Sequence, residues 1–256
     1  MCTATLIPLS RGLCLTTNRD EGRERPPALP PMVRSFPGGV LGVYPTDPQG
    51  AGTWVGANNA GLVLTLLNLN VTPADADVPP RSPALLRSRG LIIPALLPSR
   101  TLTEAADRLT AFDLREFGPF RLLLSAGDGV AITSSDGGSA RATVRRLALG
   151  PLMLASSGLG DERVAGPRQR LFADMVLADW PAADDSVRLH RQERFHRHRW
   201  AESPQLSVCM SRRDARTVSR TTVRVGVDGV RLSYCDVNET AGDGVLVEMS
   251  LPKGSF

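Results

Sequence analysis

A cysteine directly behind the initiator methionine carries the most chemistry in this 256-residue chain. Initiator methionine is generally removed when the second residue is small, and Cys2 qualifies. The mature chain then begins with a thiol and a free α-amine on one carbon. Such an amine titrates near ~7.7–8.0, so around neutral pH it can accept a proton from a nucleophile beside it. A thiol titrating near ~8.5 needs only modest help to become the reactive thiolate, and a catalytic Cys2 is expected to titrate below that. Arg19 would favour the thiolate and Asp20 would hold the amine, if the chain folds back to bring them there. The plainer alternative is a cysteine that simply starts a buried strand.

A second candidate lies at Asn68, where the apolar run Leu62 to Leu67 ends. An amide at the exit of a buried strand is placed to donate to a substrate oxygen, though strand-ending turn residues have the same composition. Other polar residues point to structure. His196 and His198 are two apart on an expected helix and share no face, so neither they nor His190 suggest a metal site. The Arg-rich run Arg188 to Arg199 reads as a solvated helix face. Cys14, Cys209 and Cys235 show no CxxC pairing and are expected as buried strand residues. Asp128 and Asp136, in Gly-rich turns, are expected turn formers.

These residues need elements to position them. Thr3 to Leu9 and Gly12 to Thr17 are β-like runs parted by Ser10-Arg11, a hairpin that returns residues 18–20 to Cys2. Five prolines between Glu21 and Pro37 argue for an ordered loop over the site, with no regular strand or helix. A second hairpin runs from Gly52-Thr53-Trp54-Val55-Gly56-Ala57 through Asn58-Asn59-Ala60-Gly61 into Leu62 to Leu67, a strand covered on both faces. Helices are expected over Ser82 to Leu97, Thr103 to Leu114 (capped by Thr103), Glu162 to Asp179 (starting properly after Gly166-Pro167) and Asp184 to Arg199. Strands are expected at Phe120 to Ser125, Gly129 to Ser134, Arg141 to Leu147, Leu152 to Ala155, Leu206 to Met210, Thr221 to Val227, Val230 to Cys235 and Val245 to Ser250. Asp228-Gly229 marks a hairpin between two of the last. The order is strands, two helices, strands, two helices, strands. An α+β, four-layer αββα sandwich of two antiparallel sheets satisfies it.

Composition bounds the rest. A 42% hydrophobic fraction supplies a large core, and residues 1–256 read as one domain. No secretory h-region follows Met1, and no apolar stretch approaches the ~18 residues of a membrane span, so a cytoplasmic location without membrane insertion is expected. The formal charge is +4, but the basic residues are scattered among acids and Lys253 is the only lysine. No nucleic-acid partner is expected.

The assembled motifs resemble the NRDE family (transport and Golgi organisation protein 2-like). They are Met1-Cys2-Thr3; Asn18-Arg19-Asp20-Glu21 with Arg25-Pro26; Gly52-Thr53-Trp54-Val55-Gly56 leading to Gly61 and Asn68; Arg87-Ser88-Arg89-Gly90-Leu91; and Ser219-Arg220-Thr221-Thr222-Val223. The resemblance implies an N-terminal-nucleophile (Ntn) hydrolase fold, distantly similar to choloylglycine hydrolases and penicillin V acylases. It implies a catalytic set of Cys2, Arg19, Asp20, Asn68 and Arg220, with Asn18, Trp54 and Ser156 as substrate-binding residues and neither metal nor cofactor. In those amidases the Arg and Asp are three apart. Here they are adjacent, so on a strand they point to opposite faces and at most one takes the amidase position. Two functions follow as expectations. One is hydrolysis of a non-peptide amide, or acyl transfer, by Cys2 with its own α-amine as base. The other is a non-enzymatic carrier or chaperone binding haem or a lipid- or acyl-CoA-like ligand in the same pocket.

Overall fold

The computed structural model describes residues 2–70, 86–127, 129–238 and 242–254. The expected turn residue Asp128 and the first part of the Ser82 to Leu97 helix lie outside the described residues, as does Met1. The chain opens with the hairpin β1 (Cys2–Leu9) and β2 (Gly12–Gly22), whose register sets Cys2 opposite Arg19 and Leu9 opposite Gly12. Gly12, at φ 141°, passes so close to the neighbouring strand that a Cβ would lie 1.9 Å from the Val225 oxygen. Only glycine fits there.

The proline-rich segment contains a strand after all, β3 (Leu29–Ser35), which pairs with β4 (Leu41–Thr46). Pro30 and Pro31 are accommodated because β3 is an edge strand and its register skips between Leu29 and Met32. At an edge the missing N–H groups face no partner. The second hairpin is β5 (Val55–Asn58) and β6 (Val63–Asn68), with every residue from Leu62 to Leu67 buried. Asn58 holds its turn, its Oδ1 accepting from the Ala60 and Leu62 N–H groups.

The Arg87-Ser88-Arg89-Gly90-Leu91 stretch is a short 3-10 turn leading into α1 (Ile92–Leu96). Gly90 lies against Gly52, where a Cβ would meet the Gly90 carbonyl carbon at 2.3 Å, and the Gly90 oxygen accepts from Thr53 N at 3.0 Å. Two motifs distant in sequence thus touch backbone to backbone. α2 (Leu102–Thr110) is capped by Thr101 and not Thr103: the Thr101 side chain accepts from Glu104 N, and Glu104 in turn accepts from Arg100 N at 2.8 Å. β7 (Phe120–Ala126), β8 (Gly129–Ser135), β9 (Thr143–Leu147) and β10 (Leu152–Ser156) follow. α3 (Asp161–Met175) includes Pro167 and begins before it, with Asp161 and Glu162 in its first turn. α4 (Asp185–Arg197) is capped by Asp184, whose Oδ1 accepts from Val187 N at 2.9 Å.

Leu206 to Met210 is not a strand but a loop. Its carbonyls face inward and are taken by buried side chains, so it has no need of a ladder partner. β11 (Ala215–Gly226), β12 (Gly229–Asn238) and β13 (Gly242–Pro252) close the chain.

The antiparallel orders are β10-β1-β2-β11-β12-β13 in one sheet and β3-β4-β5-β6-β7-β8-β9 in the other. Between the sheets lie Leu6, Leu13, Leu15, Val43, Val63, Leu123, Val223 and Leu232. α1 and α2 cover the outside of the second sheet through Ile92, Leu96, Leu109 and the alternate leucines 62, 64 and 66. α3 and α4 cover the first through Val164, Phe172 and Phe195 against Ile7 and Cys14. The result is an α+β, four-layer αββα sandwich.

Candidate active site

Residues directly opposite in an antiparallel ladder share a face. Across β10, β1, β2 and β11 the register therefore sets Ser156, Cys2, Arg19 and Ser219 in one row. The row faces the space between the sheets: Cys2 packs on Leu67 of β6, and the Arg19 guanidinium lies 4.5 Å from the centre of the Trp54 ring. The residue-2 nitrogen donates to Ser156 Oγ at 3.1 Å. The Asp20 N–H lies within hydrogen-bonding reach of the Cys2 sulfur.

The thiol is pulled both ways. Burial dominates and pushes it above its ordinary value, and the negative charges of Asp20 and Glu21 add to that. The chain's N-terminal charge pulls the other way, as does the Asp20 N–H, and Arg89 and Arg168 also lie in its field. The depressed thiol expected of a catalytic Cys2 is thus not what this environment produces, because a side chain 6% exposed cannot keep a charge solvated.

Arg19 is held by charge on the mouth side, 3.3 Å from Glu21 and 3.4 Å from Asp47. Arg25 also pairs with Asp47, and its Nε stands 3.6 Å from Glu21. Despite these neighbours Arg19 Nη2 is buried with no hydrogen-bond partner, as is Trp54 Nε1. Beside this network a cavity of about 380 Å³ opens between Arg19, the Arg25 to Ala28 segment, Val218, Tyr234 and Val245. Tyr234 donates from its hydroxyl to Asp236 at 2.7 Å. Glu21 and Arg25 belong to the quoted motifs, while Asp47 carries no sequence signal beyond a Pro-Gln-Gly turn.

Asp20 leaves β2 on the other face. Its Oδ1 accepts from Thr217 Oγ1 at 2.6 Å, and burial raises its carboxyl to about 6 against the pull of Arg168. Arg168, 1% exposed, donates to Thr3 Oγ1 at 2.6 Å and to the carbonyls of Leu206 and Ser207 at 3.0 and 2.7 Å. One guanidinium thereby fixes α3, β1 and the 206–210 loop, and nothing in the surrounding sequence marks it out.

Asn18 lies on this helix-facing side as well and is spent there. Its Nδ2 donates to the His196 and Val208 carbonyls at 2.8 and 3.0 Å, and its Oδ1 meets His196 Nδ1 at 3.0 Å. Asn18 is a clamp on α4, with no face toward the inter-sheet cavity. His196, whose Nε2 lies 2.7 Å from Thr5 Oγ1, is held well below its usual range by burial and by Arg220 and Arg168. Arg220 is opposite Asn18 in the register and so shares the helix-facing side, where its Nη2 donates to Asp243 at 2.5 Å. The residue of β11 that joins the Cys2 row is Ser219.

Asn68 pairs with Phe120 and alternates with Leu62, Leu64 and Leu66, so it leaves β6 toward the α1–α2 layer; Leu67 is the residue that meets Cys2. Two residues on, Asn70 donates from Nδ2 to Asp161 at 2.8 Å. Asp161 also accepts from Ser157 N at 2.8 Å and stands 3.5 Å from Arg121, which donates to the Ala155 carbonyl. This buried carboxylate ties the exit of β6 to the end of β10, beside Ser156. An Asp in the first turn after Gly158-Leu159-Gly160 is the signal by which it could have been found.

The family model described as Transport and Golgi organisation 2 matches residues 1–200. The chain belongs to the Transport and Golgi organisation 2 family. Among solved structures, this family member is similar to the N-acylethanolamine-hydrolyzing acid amidase ortholog of Caenorhabditis elegans. The TM-score is 0.55 at 16% identity, over 86% of this chain and 92% of that one. It is also similar to the C2A mutant of the conjugated bile acid hydrolase of Clostridium perfringens, with a TM-score of 0.53 at 11% identity, over 98% of this chain and 92% of that one. No curated protein sequence matches. At such identities the likeness establishes the fold, that of the Ntn hydrolases.

Proposed function

We propose that this chain is an N-terminal cysteine hydrolase of a non-peptide amide, or an acyl transferase using the same first step. The observation that carries it is the 3.1 Å hydrogen bond between the residue-2 nitrogen and Ser156 Oγ, on the row that also holds Arg19. Once Met1 is removed that nitrogen is an α-amine, fixed beside its own thiol. Burial raises the thiol, so in this reading the α-amine acts as base during attack. Cys2 Sγ bonds to the substrate carbonyl carbon as its proton passes to the amine. The amine returns the proton to the leaving nitrogen as the C–N bond breaks, and water then cleaves the thioester. Arg19 lies on the nucleophile's face with its Nη2 ion-paired to Glu21 and Asp47 at 3.3 and 3.4 Å, so its charge is shared with those carboxylates and it orders the mouth of the site. The likeness in fold to an N-acylethanolamine-hydrolyzing acid amidase and to a conjugated bile acid hydrolase supports this reading.

A carrier for haem or a lipid-like ligand is the second reading. It is favoured by the same raised thiol and by the partly apolar 380 Å³ cavity. Intact mass before and after treatment with an activated acyl ester separates the two. The hydrolase shows a chain lacking Met1 and a single acyl adduct that is absent from Cys2→Ala. Retained Met1 with no adduct sinks the hydrolase and favours the carrier, for which Cys2→Ala binds ligand as the wild type does.

A further inference from the structure

α3 and α4 pack on β10, β1 and β2, and the outward face of β11, β12 and β13 lies beyond them. There the edge of α4 and the exposed strands enclose a cavity of about 300 Å³. It lies on the opposite side of the sheet from the Cys2 row, and its lining is rich in arginine. Arg197 and Arg220 are both spent on Asp243, each at 2.5 Å. The other acids of the groove are committed too: Glu193 to Arg197 at 2.9 Å, and Glu248 to the Ser233 hydroxyl at 2.9 Å.

Arg224 and Arg231 have no such carboxylate partner among the described residues, although Arg224 also reaches the Cys14 sulfur. They are directly opposite each other on β11 and β12, so their side chains leave the sheet together on the groove side. Among the described residues neither makes an ion pair. Like charges facing across a ladder repel and weaken the hairpin. An anion between them turns that repulsion into a two-forked cradle. Thr222 and Ser233, opposite each other in the next outward-facing row, are already engaged, Thr222 with the Thr16 hydroxyl at 3.1 Å and Ser233 with Glu248. Leu189 of α4 and Leu246 of β13, the latter 59% exposed, add apolar surface to the same cavity.

We propose that this groove binds a phosphate-bearing small molecule, its phosphoryl group held between Arg224 and Arg231 and its less polar part along Leu189 and Leu246. A carboxylate is satisfied by one guanidinium fork. Two forks match a group with more oxygens and nearly two negative charges. The site is independent of chemistry at Cys2.

The test is calorimetric titration with phenyl phosphate and inorganic phosphate, with benzoate and chloride as controls at matched ionic strength. Saturable binding of phenyl phosphate is expected, tighter than inorganic phosphate, at least tenfold weaker in the R224Q/R231Q double variant and unchanged in Cys2→Ala. Arg224→Lys, which keeps the charge but loses the fork, should fall between. These solvent-facing substitutions remove a repulsion, so the double variant should unfold at the same or a higher temperature than the wild type in phosphate-free buffer. Equal affinity in the double variant overturns the proposal, as does benzoate binding as well as phenyl phosphate or no binding above the chloride control.

Discussion

Whether Cys2 reacts depends on where its proton goes, and the residues around it restrict the choice. Burial raises the thiol, and the nitrogen beside it is fixed on Ser156 Oγ. Ser156→Ala removes that acceptor and leaves a buried N–H unpaired, which costs about 1–3 kcal/mol. Acylation of Cys2 by an activated ester should slow by more than the stability loss explains, since the amine is then unoriented; an unchanged rate in the folded variant would show that Ser156 does not position the base. Asp20 makes a separate prediction. Its carboxyl is raised to about 6 in the fold, above the ordinary value near ~3.9, so the folded state holds its proton more tightly than the unfolded chain. The associated stability is present at low pH and lost as pH rises through the window from about 4 to 6. At ~1.36 kcal/mol per unit it amounts to about 3 kcal/mol. Urea unfolding of wild type and Asp20→Asn across pH 4–7 should show the wild type losing ground to the variant as pH rises. Parallel curves would contradict the raised carboxyl.

At the scale of elements, the site depends on how two strand ends are tied. Asp161 joins the exit of β6, through Asn70, to the end of β10, through Ser157. Asp161→Ala frees both and removes the carboxylate beside Arg121, so Cys2 acylation is expected to fall about tenfold or more. Thr101→Ala is the control: it removes the α2 cap, costs about 1 kcal/mol, and should leave Cys2 acylation unaltered. Equal effects of the two substitutions on acylation would reduce Asp161 to a stability role. The same scale explains what the sequence revealed and what it hid. The β1–β2 hairpin put Arg19 beside Cys2, because a short turn between two alternating runs fixes register. The resemblance alone put Arg220 in the catalytic set, and the sequence could not show its face, because the pairing of β11 with β2 shifts by one residue between Thr217 and Ser219. Extended without that bulge, the register would have turned Arg220 toward the Cys2 side. One unpaired residue reverses the faces beyond it, and no local pattern announces it. Asn18 was misplaced for a related reason: its partners, His196 and Val208, lie far along the chain.

At the scale of the molecule, the two-sheet sandwich was legible from the order of runs and turns, but the sheet orders were not. β1 finds β10 and β2 finds β11 across most of the chain, and such pairings leave no periodic trace. They also decide what the fold cannot spare. The family match ends at residue 200, yet β11, β12 and β13 form half of the first sheet. Val223, Val230, Leu232, Tyr234 and Leu251 supply the inter-sheet core opposite Trp54 and Val55. A fragment of residues 1–200 would expose that core, leave the long edge of β2 unpaired, and strip Asp20 of its Thr217 hydrogen bond. At roughly 1.5–3 kcal/mol for each large buried side chain, the loss of these five exceeds the usual stability margin of about 5–15 kcal/mol or consumes most of it. The fragment is therefore expected to show no cooperative thermal transition and to aggregate, while the full chain melts in one step. A sharp transition from the fragment, with Cys2 acylated at the full-chain rate, would mean that the last three strands are an addition to a self-sufficient catalytic unit rather than a wall of it.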